Sequence, residues 1–137
     1  MTRPEITGRP VVLDSEGLSR AVARDTYLAA VVKAARDDRC PVVVSAMTVV
    51  ETVHPATDQA ALRWTLSRLT VAPVTDDIAA DATRLLISTG RHGHQPAVDA
   101  VVCATALRLP GRPIIYTSDP DDIRRLVDGR ATVVPLH

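Results

Sequence analysis

Five short runs rich in β-branched residues punctuate the chain: PVVLD (10–14), PVVVS (41–45), TVAPV (70–74), PIIYT (113–117) and TVVPL (132–136). Their apolar centres VVL, VVV and II are continuous rather than alternating, and a strand with apolar side chains on both faces of its pleat has to be covered on both faces. Between them lie stretches with apolar residues at helical spacing: 17–38, as one or two helices, then 46–54, 57–69, 77–89, 97–108 and 120–127. Alternation of this kind predicts an α/β fold, a three-layer α/β/α sandwich around a central, mainly parallel sheet of four to five strands. Three of the runs open beside Pro10, Pro41 and Pro113, and proline is tolerated at a strand's first residue. With 137 residues, 46% of them hydrophobic, there is material for one core, so a single domain is expected, with residues 1–9 as a flexible lead. The segment GRHGHQP (90–96) reads as a loop, kept out of helix by two glycines and a proline.

Charge narrows the function. Sixteen basic residues balance sixteen acidic ones, which disfavours a nucleic-acid binder working by bulk positive charge. Lys33 is the only lysine, so nearly every cation is a planar guanidinium suited to carboxylate or phosphate. Aromatic residues are 2% of the chain, too few for recognition of single strands by stacking. The first residues carry charges and prolines rather than an apolar run, and no 18-residue apolar stretch follows, so a cytoplasmic protein without a membrane segment is expected. Cys40 and Cys103 lack metal-ligand spacing and read as small core hydrophobes.

In an open parallel sheet, ligands bind beyond the carboxyl ends of the strands, and the pattern delivers acids there. Asp14 ends the first run, Asp119 follows PIIYTS, and Asp99 falls in the first turn of a helix that begins at that edge. Glu51 lies six residues after Ser45, about 9 Å along a helix, and can lean back toward the same cleft. Each acid also has a plainer reading. Asp119 before Pro120 makes a good N-cap, Asp99 suits a helix dipole, Asp14 can cap the next helix, and Glu51 can face solvent. Taken together, several carboxylates at one edge repel one another unless a cation sits among them, and Lys33, inside an early helix, cannot supply it. A hard divalent ion, Mg²⁺ or Mn²⁺, fits such a set and would support hydrolysis by a metal-activated water.

At these residues the chain resembles the PIN-domain nucleases, and within them the VapC-type toxins of type II toxin–antitoxin pairs. The resemblance spans nearly the whole sequence: Asp14 in VVLDS, Glu51 in SAMTVVETV with Ser45 before it, Asp99 in VDAVVCATAL, and Asp119 and Asp122 in TSDPDDI. It implies a Mg²⁺- or Mn²⁺-dependent endoribonuclease, inhibited by a cognate antitoxin and acting as a homodimer. Asp14, Glu51, Asp99 and Asp119 would be the catalytic and metal-binding set, with Asp14 and Asp99 touching the ion directly. Asp122 would support them, and Thr117 and Ser118 would hydrogen-bond Asp119 or a phosphate. Glu16 departs from the family's small or apolar residue at that place; it either joins the site or faces solvent.

Arg20, Arg24 and Arg91 are candidate phosphate contacts near the carboxyl edge, and His92 or His94 in the 90–96 loop could serve as a general acid or simply be solvated. Asp14→Asn or Asp99→Asn is expected to abolish cleavage of RNA and leave the fold intact. The alternatives are a non-catalytic PIN-like RNA-binding or scaffold domain and a metal-dependent phosphatase or phosphoacceptor domain. The last two ordinarily need a lysine late in the chain, and none follows Lys33.

Overall fold

A computed structural model describes residues 8–137. The elements in chain order are β1 (Val11–Leu13), α1 (Ser15–Val22), α2 (Thr26–Asp37), β2 (Val42–Ser45), α3 (Ala46–Thr52), α4 (Gln59–Leu66), β3 (Thr70–Ala72), α5 (Asp76–Thr89), α6 (His94–Leu107), β4 (Ile114–Thr117), α7 (Pro120–Val127) and β5 (Thr132–Pro135). The five strands form one sheet in the order β3-β2-β1-β4-β5, every pair parallel. Most of the lead expected to be flexible, residues 1–7, lies outside the described residues; Arg9 at its end donates from Nε to the Arg112 carbonyl at 2.9 Å.

Continuous apolar strands meet helices on both sides, as their composition requires. Val11, Leu13, Val42, Val44, Ile114 and Tyr116 point to one face and pack with Leu18 of α1 and with Leu28 and Val31 of α2. Val12, Val43 and Ile115 point to the other, against Ile78 of α5, Ala100 and Cys103 of α6, and Ile123 and Leu126 of α7. Cys40 and Cys103 are buried, free thiols, one on each side of the sheet. Among the described residues no helix is long and apolar enough to cross a membrane.

Two boundaries carry information. The 17–38 stretch is two helices because Arg24 adopts a positive φ of 61° and Asp25 then restarts the chain, its side chain accepting from the Leu28 N–H at 3.0 Å. The 90–96 segment is not all loop. Gly93, at φ 104°, is the N-cap of α6, a conformation that glycine adopts without strain, and the helix begins at His94. Pro96 does not prevent this, because the first-turn N–H groups of a helix have no internal partner and none is lost. Asp99 consequently sits in the second turn rather than the first, on the buried side of the helix.

The start of α1 is pressed against the end of β1. A Cβ added at Gly17 would lie 3.1 Å from the Leu13 Cβ, an atom fixed to the central strand. Alanine ordinarily gains about 1 kcal/mol over glycine inside a helix. Here Gly17→Ala is expected to forfeit that gain and lower stability by roughly 1 kcal/mol through overpacking, measurable by urea denaturation; a more stable variant would show that α1 can lift off the strand.

Candidate metal centre

β1 and β4 are neighbours, in register from Val11↔Ile114 to Leu13↔Tyr116. The chain moves outward from β1 to β2 and β3 on one side, and from β4 to β5 on the other, so the strand order reverses between β1 and β4. Crevices at such a reversal are where ligands bind in open α/β sheets. The residues that leave the two strands there are Asp14 and Thr117-Ser118-Asp119.

Asp14 is buried and spends both carboxylate oxygens on backbone donors. Oδ1 accepts from the Gly17 N–H at 2.9 Å, capping α1, and Oδ2 accepts from the Ser118 N–H at 2.9 Å, tying the end of β1 to the end of β4. The Thr117 hydroxyl oxygen accepts from the Asp119 N–H at 2.9 Å. These bonds fix the turn that carries Asp119. Asp119 occupies the N-cap position of α7 but makes no capping bond with its side chain. Its Oδ2 instead accepts from the Gln95 side-chain amide at 2.8 Å, and the same amide nitrogen donates to Asp99 Oδ1 at 3.2 Å. Asp122, in the first turn of α7, is paired with Arg91 at 2.9 Å.

Asp99, Asp119 and Asp122 come together: each offers a carboxylate oxygen, and these oxygens lie within 4.8 Å of one another. Asp99 is 4% exposed, and its Oδ2 is buried without a hydrogen-bond partner. Burial, and after it the negative charges of Asp119 and Asp122, raise its pKa to about 7; Asp14 adds a smaller push in the same direction. A carboxylate set with an unmatched buried oxygen is short of positive charge. All the groups offered are hard oxygens, which suit Mg²⁺ or Mn²⁺.

The other sequence candidates are placed less centrally. Glu51 is exposed on α3, whose Thr48 turns inward, and it is not one of the three clustered acids. Ser45 is buried and caps α3, its hydroxyl oxygen accepting from the Met47 N–H at 3.1 Å. Glu16 pairs with Arg20 at 2.8 Å, and Arg20 also donates to the His137 carbonyl. Arg24 lies past the far end of α1, about 12 Å along that helix from the carboxyl edge. Its guanidinium sits 5.5 Å from the Trp64 ring centroid. His92 and His94 are exposed. Gln95 was missed by the sequence reading; the signal was its place four residues before Asp99, which becomes a contact only once the helix is known to start at His94.

No protein-family model matches the sequence, and no curated protein matches it. Solved structures do. A chain of VapBC2 from Rickettsia felis, crystallised bound to a DNA fragment from their promoter, superposes with a TM-score of 0.65 over 93% of this chain and 98% of its own length, at 13% identity. A chain of FitAcB from Neisseria gonorrhoeae superposes with a TM-score of 0.59 over 90% and 95%, at 17% identity. The fold is the one expected from the resemblance to PIN-domain, VapC-type proteins.

Proposed function

We propose that the chain is a single-domain, metal-dependent endoribonuclease, the toxin of a toxin–antitoxin pair, hydrolysing RNA phosphodiester bonds in the cytoplasm. The observation that carries this reading is Asp99, buried at the point where the strand order reverses, with one oxygen unmatched and two further carboxylates beside it. Asp99, Asp119 and Asp122 would hold Mg²⁺ or Mn²⁺, with Asp14 and the helical Glu51 completing the set that the family resemblance implies. Such an ion, when bound, lowers the pKa of a water and neutralises a phosphodiester oxygen.

The chain's own residues supply the rest. Asp14 and Thr117 fix the Ser118-Asp119 turn through two backbone bonds, and a third bond ties Asp14 to the start of α1, so the acids keep their spacing as charge changes around them. Arg91, anchored on Asp122, stands beside the cluster as a fixed cation for a phosphate, and with few aromatic residues in the chain the grip on RNA runs through phosphates rather than stacked bases.

Partner surfaces fit the same reading. The family resemblance implies a homodimer, and Val50 on α3, 72% exposed, and Ile87 on α5, 76% exposed, are individual apolar groups available to such contacts. A groove of about 500 Å³ between α2 and α4 has an apolar floor of Leu28, Val32 and Leu69, with Arg24, Arg36 and Arg68 at its rim, and suits an amphipathic antitoxin segment with an acidic flank. That the structural neighbours VapBC2 and FitAcB are toxin–antitoxin complexes supports an antitoxin partner.

The test is cleavage of a structured RNA in Mg²⁺ or Mn²⁺. Activity is expected to vanish on chelation and return with the metal. Asp122→Asn, which removes the one of the three clustered acids that is already paired with Arg91, is expected to cost about 10- to 100-fold, and Asp119→Asn more. Full cleavage in excess chelator, or by Asp119→Asn, would overturn the assignment. Absence of Mn²⁺ binding by titration calorimetry would favour a non-catalytic scaffold.

A further inference from the structure

Gln95 is exposed at the second position of α6, so burial does not hold its side chain, and fixing a glutamine costs up to about 2 kcal/mol of rotamer freedom. It is fixed nonetheless. Its amide nitrogen lies 2.8 Å from Asp119 Oδ2 and 3.2 Å from Asp99 Oδ1, so the two N–H donors of one NH₂ group serve two carboxylates from different helices. Ionised carboxylates accept and cannot donate, and two of them approach only when something between them supplies positive charge or donors. A neutral amide here does the work that a cation would do.

We propose that Gln95 is a positioning residue whose amide stands in for the divalent cation between Asp99 and Asp119, and is displaced when the metal enters. The proposal rests on the metal-dependent reading above and specifies what holds its acids together before a metal binds. Gln95 then has opposite effects on the two states: it stabilises the metal-free arrangement and, for the same reason, competes with the ion for the oxygens. A side chain of purely structural importance would support both states alike.

The experiment is calorimetric titration of the whole, chelator-stripped protein with Mn²⁺, alongside thermal melting without metal, for the wild type, Gln95→Ala, Gln95→Met and Asp99→Asn. Methionine keeps the length and helix-forming character of glutamine and removes the amide, its two donors together with its acceptor oxygen. Both Gln95 variants are expected to melt a few degrees lower without metal and to bind Mn²⁺ about tenfold more tightly, the equivalent of one charge-assisted hydrogen bond no longer broken on binding. Unchanged or weaker binding in both variants, with the wild type binding and Asp99→Asn not, would overturn the Gln95 proposal alone. A wild type that binds no Mn²⁺ would overturn the metal reading and this proposal with it.

Discussion

Replacing Asp99 by Asn is expected to raise the melting temperature of the metal-free protein at pH 8 while abolishing RNA cleavage and Mn²⁺ binding. The carboxyl is buried beside Asp119 and Asp122, and its pKa is raised from 3.8 to about 7. Between about pH 4 and pH 7 the unfolded chain has lost this proton and the folded protein still holds it, so folding binds a proton and stability falls as the pH rises through that window. Above about pH 7 both states are ionised and the penalty is complete. The full shift corresponds to about 4 kcal/mol. Solvent screening in a cleft open on one side reduces it to roughly 1–2 kcal/mol, or roughly 3–8 °C. Asparagine keeps the oxygen that accepts from Gln95 and puts an N–H₂ where the unmatched Oδ2 now faces negative charge. Melting curves from pH 4 to pH 9 should therefore slope downward for the wild type and lie flatter for the variant. A variant less stable than the wild type at pH 8 would mean that Asp99 is stabilised by a partner within the fold.

Asp14→Asn is expected to do the reverse. Both Asp14 oxygens accept from backbone N–H groups, those of Gly17 and Ser118. An asparagine offers one oxygen, so one of these N–H groups would face an NH₂. Leaving such a donor unsatisfied costs about 1–3 kcal/mol where it is buried, as at Gly17, and less where it is half-buried, as at Ser118; the loss falls either on the cap of α1 or on the bond that joins β1 to the turn carrying Asp119. Urea denaturation should show a lower midpoint with an unchanged slope, and cleavage should fall because the acids lose their spacing as well as a charge. Equal stability of variant and wild type would show that the β1–β4 junction is held by the strand pairing alone. This departs from the sequence-based expectation that removing charge at either aspartate leaves the fold intact: the argument from repulsion holds for Asp99 and fails for Asp14, whose charge is already matched by donors.

The contrast shows where the sequence is legible. VVL, VVV and II read correctly as parallel strands because burial on both faces leaves a continuous apolar run, a signal contained within a few residues. The acids after β1 and β4 were legible for the same reason, since strand ends in an α/β sheet gather at one edge. What each acid bonds to was not. The donor to Asp14 Oδ2 lies 104 residues away, and no local pattern announces it. Asp119 before Pro120 has the local chemistry of a cap, yet its side chain turns to Gln95, a tertiary contact overriding a local preference. Gln95 itself was hidden by reading Pro96 as a helix breaker when it sits in the one turn that tolerates proline.

The pairing of β1 with β4 also has a consequence in time. Asp14 and Ser118 are 104 residues apart, and at about 5–20 residues per second of synthesis they emerge roughly 5–20 s apart. Until β4 is made, β1 lacks its central neighbour and Asp14 has no acid facing it across the reversal. The acidic centre therefore does not exist on the growing chain. A protein whose activity needs restraint would have, in its own topology, an interval in which it cannot yet act.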